Sequence, residues 1–284
     1  MSSTPDFRRG FTLALGGGGG RGWTHTGVAR ALNEFGLRPS RIVGTSMGAI
    51  VGAGLAAGIS PDEIEERGRR TPLYRNVRRG RLALFDPRPL LDRMAADLGD
   101  PRIEDLPLPL GVSTFDLVSG RPRLITSGRL IDALEVSIAV PLFFPPRRDA
   151  DGIWCDAGPW EGIPVTLSRA WAPLDQVIGV LADIPKPAFL ASRVGSALLR
   201  ATSERLGPGS VDQALTARRY LALLAARWAD PVVHEAPDLL IAPRLGFTNA
   251  LQFGRIGPSA AIGERDARLA LEALGLRAET ADAA

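Results

Sequence analysis

Short apolar runs alternate with stretches of helical periodicity along this chain, and most of the runs end at a glycine or aspartate turn. Runs at Phe11 to Leu15, Ile42-Val43, Leu110 to Phe115, Arg123 to Thr126, Ile153 to Cys155, Val177 to Leu181 and Leu239 to Ala242 read as strands. Between them, helical spacing predicts helices over Ala49 to Ala57, Leu90 to Leu98, Leu130 to Ser137 and Glu264 to Leu274. A further helix opens at Ser60-Pro61-Asp62-Glu63, with an N-cap serine and acids in its first turn. Residues 187–228 read as long helices broken at Gly207-Pro208-Gly209. Strands that alternate with helices predict a three-layer α/β/α domain around a mostly parallel central sheet. No linker divides residues 1–284, so a single domain is expected, with its core over about 11–275 and frayed ends.

Two strand-to-helix turns are dense in glycine. Gly16-Gly17-Gly18-Gly19-Gly20-Arg21-Gly22 follows the first strand, and Gly44-Thr45-Ser46-Met47-Gly48 follows the second. After the second turn, Gly48, Gly52 and Ala56 recur every four residues, a small-residue face that lets a helix lie close on a sheet. Each such glycine costs roughly 1 kcal/mol of helix propensity, so the close approach is the expected compensation.

Three chemistries compete for the first turn. A phosphate-binding Walker loop needs Gly-Lys-Ser/Thr, and Arg21-Gly22-Trp23 does not supply it. Gly17, Gly19 and Gly22 satisfy G-x-G-x-x-G, but the next strand ends Ile42-Val43-Gly44-Thr45, without the acid that holds a dinucleotide ribose. An oxyanion site remains: unshielded N–H groups aimed at a developing negative charge, each contributing about 3–4 kcal/mol to a transition state. The second turn fits G-x-S-x-G, which exposes a nucleophilic serine on a strained elbow. A plain tight turn is the competing structural explanation for both.

A serine nucleophile needs a base. The chain has two histidines, His25 and His234. His25 lies in the helix after the glycine run, where capping or packing is the expected role, while His234 sits late, as in an α/β-hydrolase triad. Asp156, at the end of a strand and just before Ala157-Gly158, is the other candidate. Asp116, Asp149, Asp151 and Asp183 read as turn residues or caps. Nothing has metal-ligand spacing, and no cofactor is expected.

Composition narrows the partners. Arginine and lysine total 34 against 31 acids, a net charge of +3, and no nucleic-acid motif is present. Mean hydropathy is +0.05. The one cysteine, Cys155, demands no oxidising compartment. The apolar run after the polar N-terminus is too short for a signal-peptide core. Residues 42–59 are apolar enough to resemble a membrane span, but their glycines fit a buried strand-helix junction better. A cytoplasmic location is the expectation. Residues 67–81 carry seven arginines and read either as a patch for an anionic membrane or as a solvated loop. Phe143, Phe144 and Trp160 read equally as lining for an acyl pocket or as core.

Four ordered segments resemble the bacterial patatin-like phospholipases: the run Leu13 to Gly22, the elbow Gly44 to Gly48, the stretch Ser137 to Pro146, and Asp156-Ala157-Gly158. The resemblance implies hydrolysis of acyl esters in phospholipids, lysophospholipids or neutral lipids, through an acyl-enzyme and without a cofactor. It implies Ser46 as nucleophile and Asp156 as base of a dyad that uses no histidine. Gly17, Gly18, Gly19 and Met47 are then the oxyanion donors, with Arg21 in support. Two positions depart from the pattern. Ala157 stands where glycine is usual, and Gly162 where asparagine often precedes x-Pro. If residue 157 needs a positive φ, alanine there costs about 1–2 kcal/mol and shifts the carboxylate. The alternatives are therefore a weakened or inactive lipid-binding member of the fold, or an esterase using His234.

Overall fold

Alternating apolar runs fold here as the strands of one mixed sheet. The computed structural model describes residues 5–71, 78–80, 83–141, 143–158, 160–182, 235–246, 248 and 250–279. His234, Asp183 and the helices expected over 187–228 lie outside the described residues. The strands are β1 (Phe11–Leu15), β2 (Arg41–Thr45), β3 (Arg78–Arg79), β4 (Phe85–Asp86), β5 (Leu110–Asp116), β6 (Arg121–Ile125), β7 (Arg147–Arg148), β8 (Ile153–Cys155), β9 (Gln176–Val180) and β10 (Leu239–Ile241). The helices are α1 (Thr24–Glu34), α2 (Met47–Ala56), α3 (Pro61–Arg70), α4 (Arg88–Leu98), α5 (Leu130–Ser137), α6 (Val165–Trp171) and α7 (Ile256–Ala273).

Five strands run parallel in the order β10-β9-β1-β2-β5, while β6, β7 and β8 add antiparallel pairings at the β5 side; β3 and β4 form a separate ribbon. Both faces of the parallel part are covered. Phe11, Leu13 and Leu15 of β1 enter the main core with residues of α1, α2 and α7, whereas Ala14 packs on the opposite face with Val165 of α6 and Val177. That is the expected three-layer arrangement. The last helix is longer than its periodicity suggested, because it begins at Ile256, before Gly257-Pro258.

Pairing along β5 decides what meets what. Ser113 pairs with Thr45 of β2 on one edge and with Leu124 of β6 on the other. Phe115 pairs with Pro122 of β6 and with Cys155 of β8. Strand β8 therefore shares an edge of β5 with β2, running in the opposite direction. The end of β8 points at the end of β2, so Asp156 is delivered to Ser46. The small face of α2 also does what its spacing predicts. A Cβ on Gly48 would strike the Leu15 and Gly16 carbonyls, and one on Gly52 would lie 3.0 Å from Ile42. Helix α2 thus sits tight on the sheet with its N-terminus at the carboxyl edge, where open α/β sheets gather their ligands.

Candidate active site

Ser46 occupies the turn between β2 and α2 with φ 54° and ψ −122°, one of two non-glycine residues with positive φ among those described. Such a conformation costs on the order of 1–3 kcal/mol and persists only where its surroundings fix it. Here the fixing bonds are explicit. The Ser46 N–H donates to Ser137 Oγ at 2.9 Å, and Ser137 Oγ donates onward to the Ser113 carbonyl at 2.7 Å. On the other side, the Ser46 carbonyl accepts from Ala49 and Ile50 at 2.9 and 3.1 Å, which starts α2.

Asp156 is buried beside it. Its N–H donates to the Ala139 carbonyl at 3.1 Å, its Oδ1 accepts from the Gly158 N–H at 2.7 Å, and the Ser46 side chain lies near enough to favour its charged form. Burial pushes the carboxyl up to about 6, against the opposing pull of the Gly158 hydrogen bond and the Ser46 side chain. The structure thus brings together Ser46 and Asp156, residues 110 positions apart in sequence.

The glycine turn closes over this pair. Gly16 donates to the Val180 carbonyl at 3.0 Å and Gly20 to the Ala250 carbonyl at 2.7 Å, which pins the two ends of the loop. Between them, the Gly17 and Gly18 N–H groups donate to no oxygen among the described residues. Gly17 lies against the nucleophile: a Cβ there would sit 3.5 Å from Ser46 Cβ. Gly18 and Gly19 have φ of 156° and 56°. Met47 opens α2, where the first-turn N–H groups have no intrahelical acceptor. Arg21 is buried within the turn that follows.

Among the described hydrogen bonds, His25 meets neither Ser46 nor Asp156. It is fully buried, its Nε2 donates to the Gly16 carbonyl at 2.8 Å, and burial lowers its pKa to about 4 despite that bond. It is a neutral brace under the glycine loop. Asp116 and Asp149 are turn residues, as their positions suggested: Asp116 accepts from Val118 and Ser119, and Asp149 from Asp151 and Gly152. The described residues contain no cluster of histidine, cysteine and carboxylate side chains that would hold a metal ion.

The off-pattern positions are accommodated. Ala157 does not need a positive φ; its methyl is buried with Phe115, Leu117, Cys155 and Trp160, and its carbonyl accepts from Trp160 and Glu161. A Cβ at Gly162 would make only an ordinary contact, 3.6 Å from Leu181. Trp160 stacks on Phe115 at 3.6 Å, a core role. Sequence reasoning missed Ser137 and the Ala139 carbonyl as partners of the pair. The available signal was the serine that closes this helix, whose other polar residues are Asp132 and Glu135.

A model of the patatin-like phospholipases matches residues 13–167, a span that contains the glycine loop, Ser46, Ser137 and Asp156. The chain belongs to the patatin-like phospholipase family. An uncharacterised NTE family protein of Mycobacterium tuberculosis is 34% identical over 182 residues, which cover 61% of this chain and 46% of that protein. A lysophospholipase of Yarrowia lipolytica is 29% identical over 180 residues, 56% of this chain and 12% of the yeast protein. The chain thus spans about half the length of the mycobacterial relative and far less of the yeast one. The crystal structure of VipD from Legionella pneumophila shares the fold of this patatin-like chain, with a TM-score of 0.54 at 13% identity, covering 95% of this chain and 68% of that one.

The arginine-rich stretch divides. Arg67, Arg69 and Arg70 belong to the last turn of α3 and pair with Glu63, Glu65 and Glu66 of the same helix. Residues 72–77 and Arg81 lie outside the described residues. No described helix is long and apolar enough to cross a membrane.

Proposed function

We propose that this chain is a lipid acyl hydrolase that works through a serine-aspartate dyad. Ser46 Oγ attacks the ester carbonyl carbon while Asp156 takes the hydroxyl proton. The carbonyl electrons collect on an oxyanion held by the N–H groups of Gly17, Gly18 and Gly19 and by that of Met47, where the α2 dipole adds attraction. Arg21 supports the loop from beneath. Collapse of the tetrahedral intermediate expels the alkoxide, which recovers the proton from Asp156 and leaves an acyl-Ser46 ester. Water, deprotonated by the same carboxylate, then releases the fatty acid.

One observation carries this reading: an elbow serine with positive φ set beside a buried carboxylate whose charged form its side chain favours. A carboxyl held near 6 is ionised at neutral pH yet more basic than an exposed one, as a general base should be. The yeast relative's designation as a lysophospholipase supports a single-chain lipid as substrate class.

The test is active-site labelling with a fluorophosphonate, followed by mass mapping. Ser46 is expected to take the label in the native chain, and Asp156→Asn to label far more slowly while remaining folded. Native protein that stays unlabelled at Ser46 under conditions that modify a control hydrolase would overturn the proposal.

A further inference from the structure

The glycine loop is held from behind by a stretch of chain outside residues 13–167, the span that the family model matches. Gly19–Trp23 form a 3₁₀ turn. With three residues per turn, positions three apart stand one above the other, so Gly20 and Trp23 face the same way. Both face the segment that leads into α7. The Gly20 N–H donates to the Ala250 carbonyl at 2.7 Å, and the Trp23 indole N–H donates to the Phe253 carbonyl at 3.1 Å. Two donors three residues apart thus meet two acceptors three residues apart, and the result is a clasp with two rungs.

The fit is close. A Cβ on Gly19 would strike the Ala250 carbonyl, and one on Gly20 would lie 2.6 Å from the Gln252 carbonyl carbon and 2.7 Å from the Phe253 nitrogen. The clasp, rather than the nucleophile, therefore forbids side chains at these two positions of the glycine run. Its far side is anchored in turn. Ile256, the first residue of α7, packs with Trp23 and Met47. Helix α7 lies with its backbone against α1: a Cβ on Gly27 would strike the Ala260 carbonyl, and one on Gly263 the Thr24 carbonyl. The turn Gly19–Trp23 is thus packed as one block with residues 250–263.

We propose that this clasp aims the oxyanion donors, with Trp23 as a positioning residue that touches no reacting atom. The inference rests on the hydrolase reading above and extends its machinery to the C-terminal part of the chain. Gly16 is pinned to Val180 at one end of the loop and Gly20 to Ala250 at the other. The Gly17, Gly18 and Gly19 N–H groups between them keep their directions only while both ends hold. Their load comes late. As Ser46 Oγ bonds to the ester carbon and its proton passes to Asp156, the carbonyl electrons move onto oxygen. The donors must then stand about 2.7–3.1 Å from that oxygen. A loosened clasp therefore weakens the transition state and not the bound ester, which lowers kcat and leaves KM. A displacement of about 1 Å costs on the order of a hundredfold in rate, so the loss of one rung of two should cost about tenfold.

The test replaces Trp23 by benzothienylalanine, in which sulfur takes the place of the indole N–H, so the shape stays and one donor goes. For acyl ester hydrolysis kcat should fall about tenfold, with KM nearly unchanged. An alkyl trifluoromethyl ketone, to which Ser46 adds to leave an alkoxide in the oxyanion site, should bind more weakly by the same factor as kcat falls. That second readout separates positioning from lost fold, because a smaller active fraction lowers kcat and leaves the inhibition constant alone. Ile64→Val, a change in the cluster around Trp23 that keeps both rungs, should cost some stability and leave kcat and the inhibition constant as they are. Hydrogen exchange, which needs no turnover, should quicken over Gly16–Trp23 in the benzothienyl protein. A benzothienyl protein with native kcat, or one whose kcat falls while ketone binding is unchanged, overturns the proposal, as does unaltered exchange. If the native chain neither cleaves esters nor takes up the ketone, the hydrolase reading fails, while exchange still decides whether the clasp holds the loop.

Discussion

Replacing Asp156 by asparagine should stop turnover and at the same time stabilise the fold at neutral pH. The carboxyl has an ordinary value of 3.8 and sits at about 6 in the folded chain. Because the folded value is raised, the stability associated with this group is fully present below 3.8 and is lost as pH rises through 6. At about 1.4 kcal/mol per tenfold change in proton affinity, ionised Asp156 costs about 3 kcal/mol at pH 7. Asparagine removes the charge and keeps an oxygen for the Gly158 N–H. It also loses the carboxylate's attraction for the neighbouring Ser46 side chain, a loss of about 1 kcal/mol. A net gain on the order of 2 kcal/mol is left at pH 7.

Urea unfolding of both proteins from pH 4 to pH 8 measures this. His25 also titrates across part of that range, but it is common to both chains and cancels in the difference. The gain should be present at pH 7 and 8 and vanish towards pH 4, where wild-type Asp156 is protonated too. Over the same range, wild-type kcat/KM should fall on an acid limb with its midpoint near 6, and the variant should lose about 10²–10⁴-fold in rate. A variant that is less stable than wild type at pH 7, or a difference that does not change between pH 4 and 8, would refute the claim that the base is held against its own burial.

Ser137→Ala removes the acceptor for the Ser46 N–H and the donor to the Ser113 carbonyl. It should cost about 1–3 kcal/mol of stability and lower kcat roughly tenfold to a hundredfold, with KM nearly unchanged in steady-state assays. His25→Gln keeps a donor for the Gly16 carbonyl without a titrating ring. Since burial lowers His25 from 6.5 to about 4, its stabilisation is present above 6.5 and shrinks by up to about 3 kcal/mol as pH falls to 4. Thermal melts of the glutamine variant should therefore be flatter over that window than those of the native chain. Ala157→Gly, which restores the common family residue, should gain no rate. It should lose about 1–2 kcal/mol, because a methyl buried among Phe115, Leu117 and Trp160 is deleted and backbone entropy is added.

Local chemistry explains which parts of this fold were legible from the chain alone. The elbow and the glycine loop could be read because each needs glycines at fixed offsets around one strand end, a constraint confined to a few residues. The close seat of α2 was legible for the same reason, through Gly48 and Gly52. The long-range partner, Asp156, could be named from its strand end and the family resemblance, but not placed. Asp156 reaches Ser46 because β5 pairs with β2 over its first half and with β8 over its second, a register that no local pattern encodes. Nor does any single residue advertise that φ at 157 is ordinary, so that alanine sits there without strain. The segment after α5 shows why these two kinds of information must agree. Ser137 holds the nucleophile through its side chain, and two residues later the Ala139 carbonyl holds the base through its backbone. One short stretch therefore fixes the separation of two groups that lie on different strands. Its sequence looks like a helix end, and its role appears only once β2 and β8 are brought to the same edge.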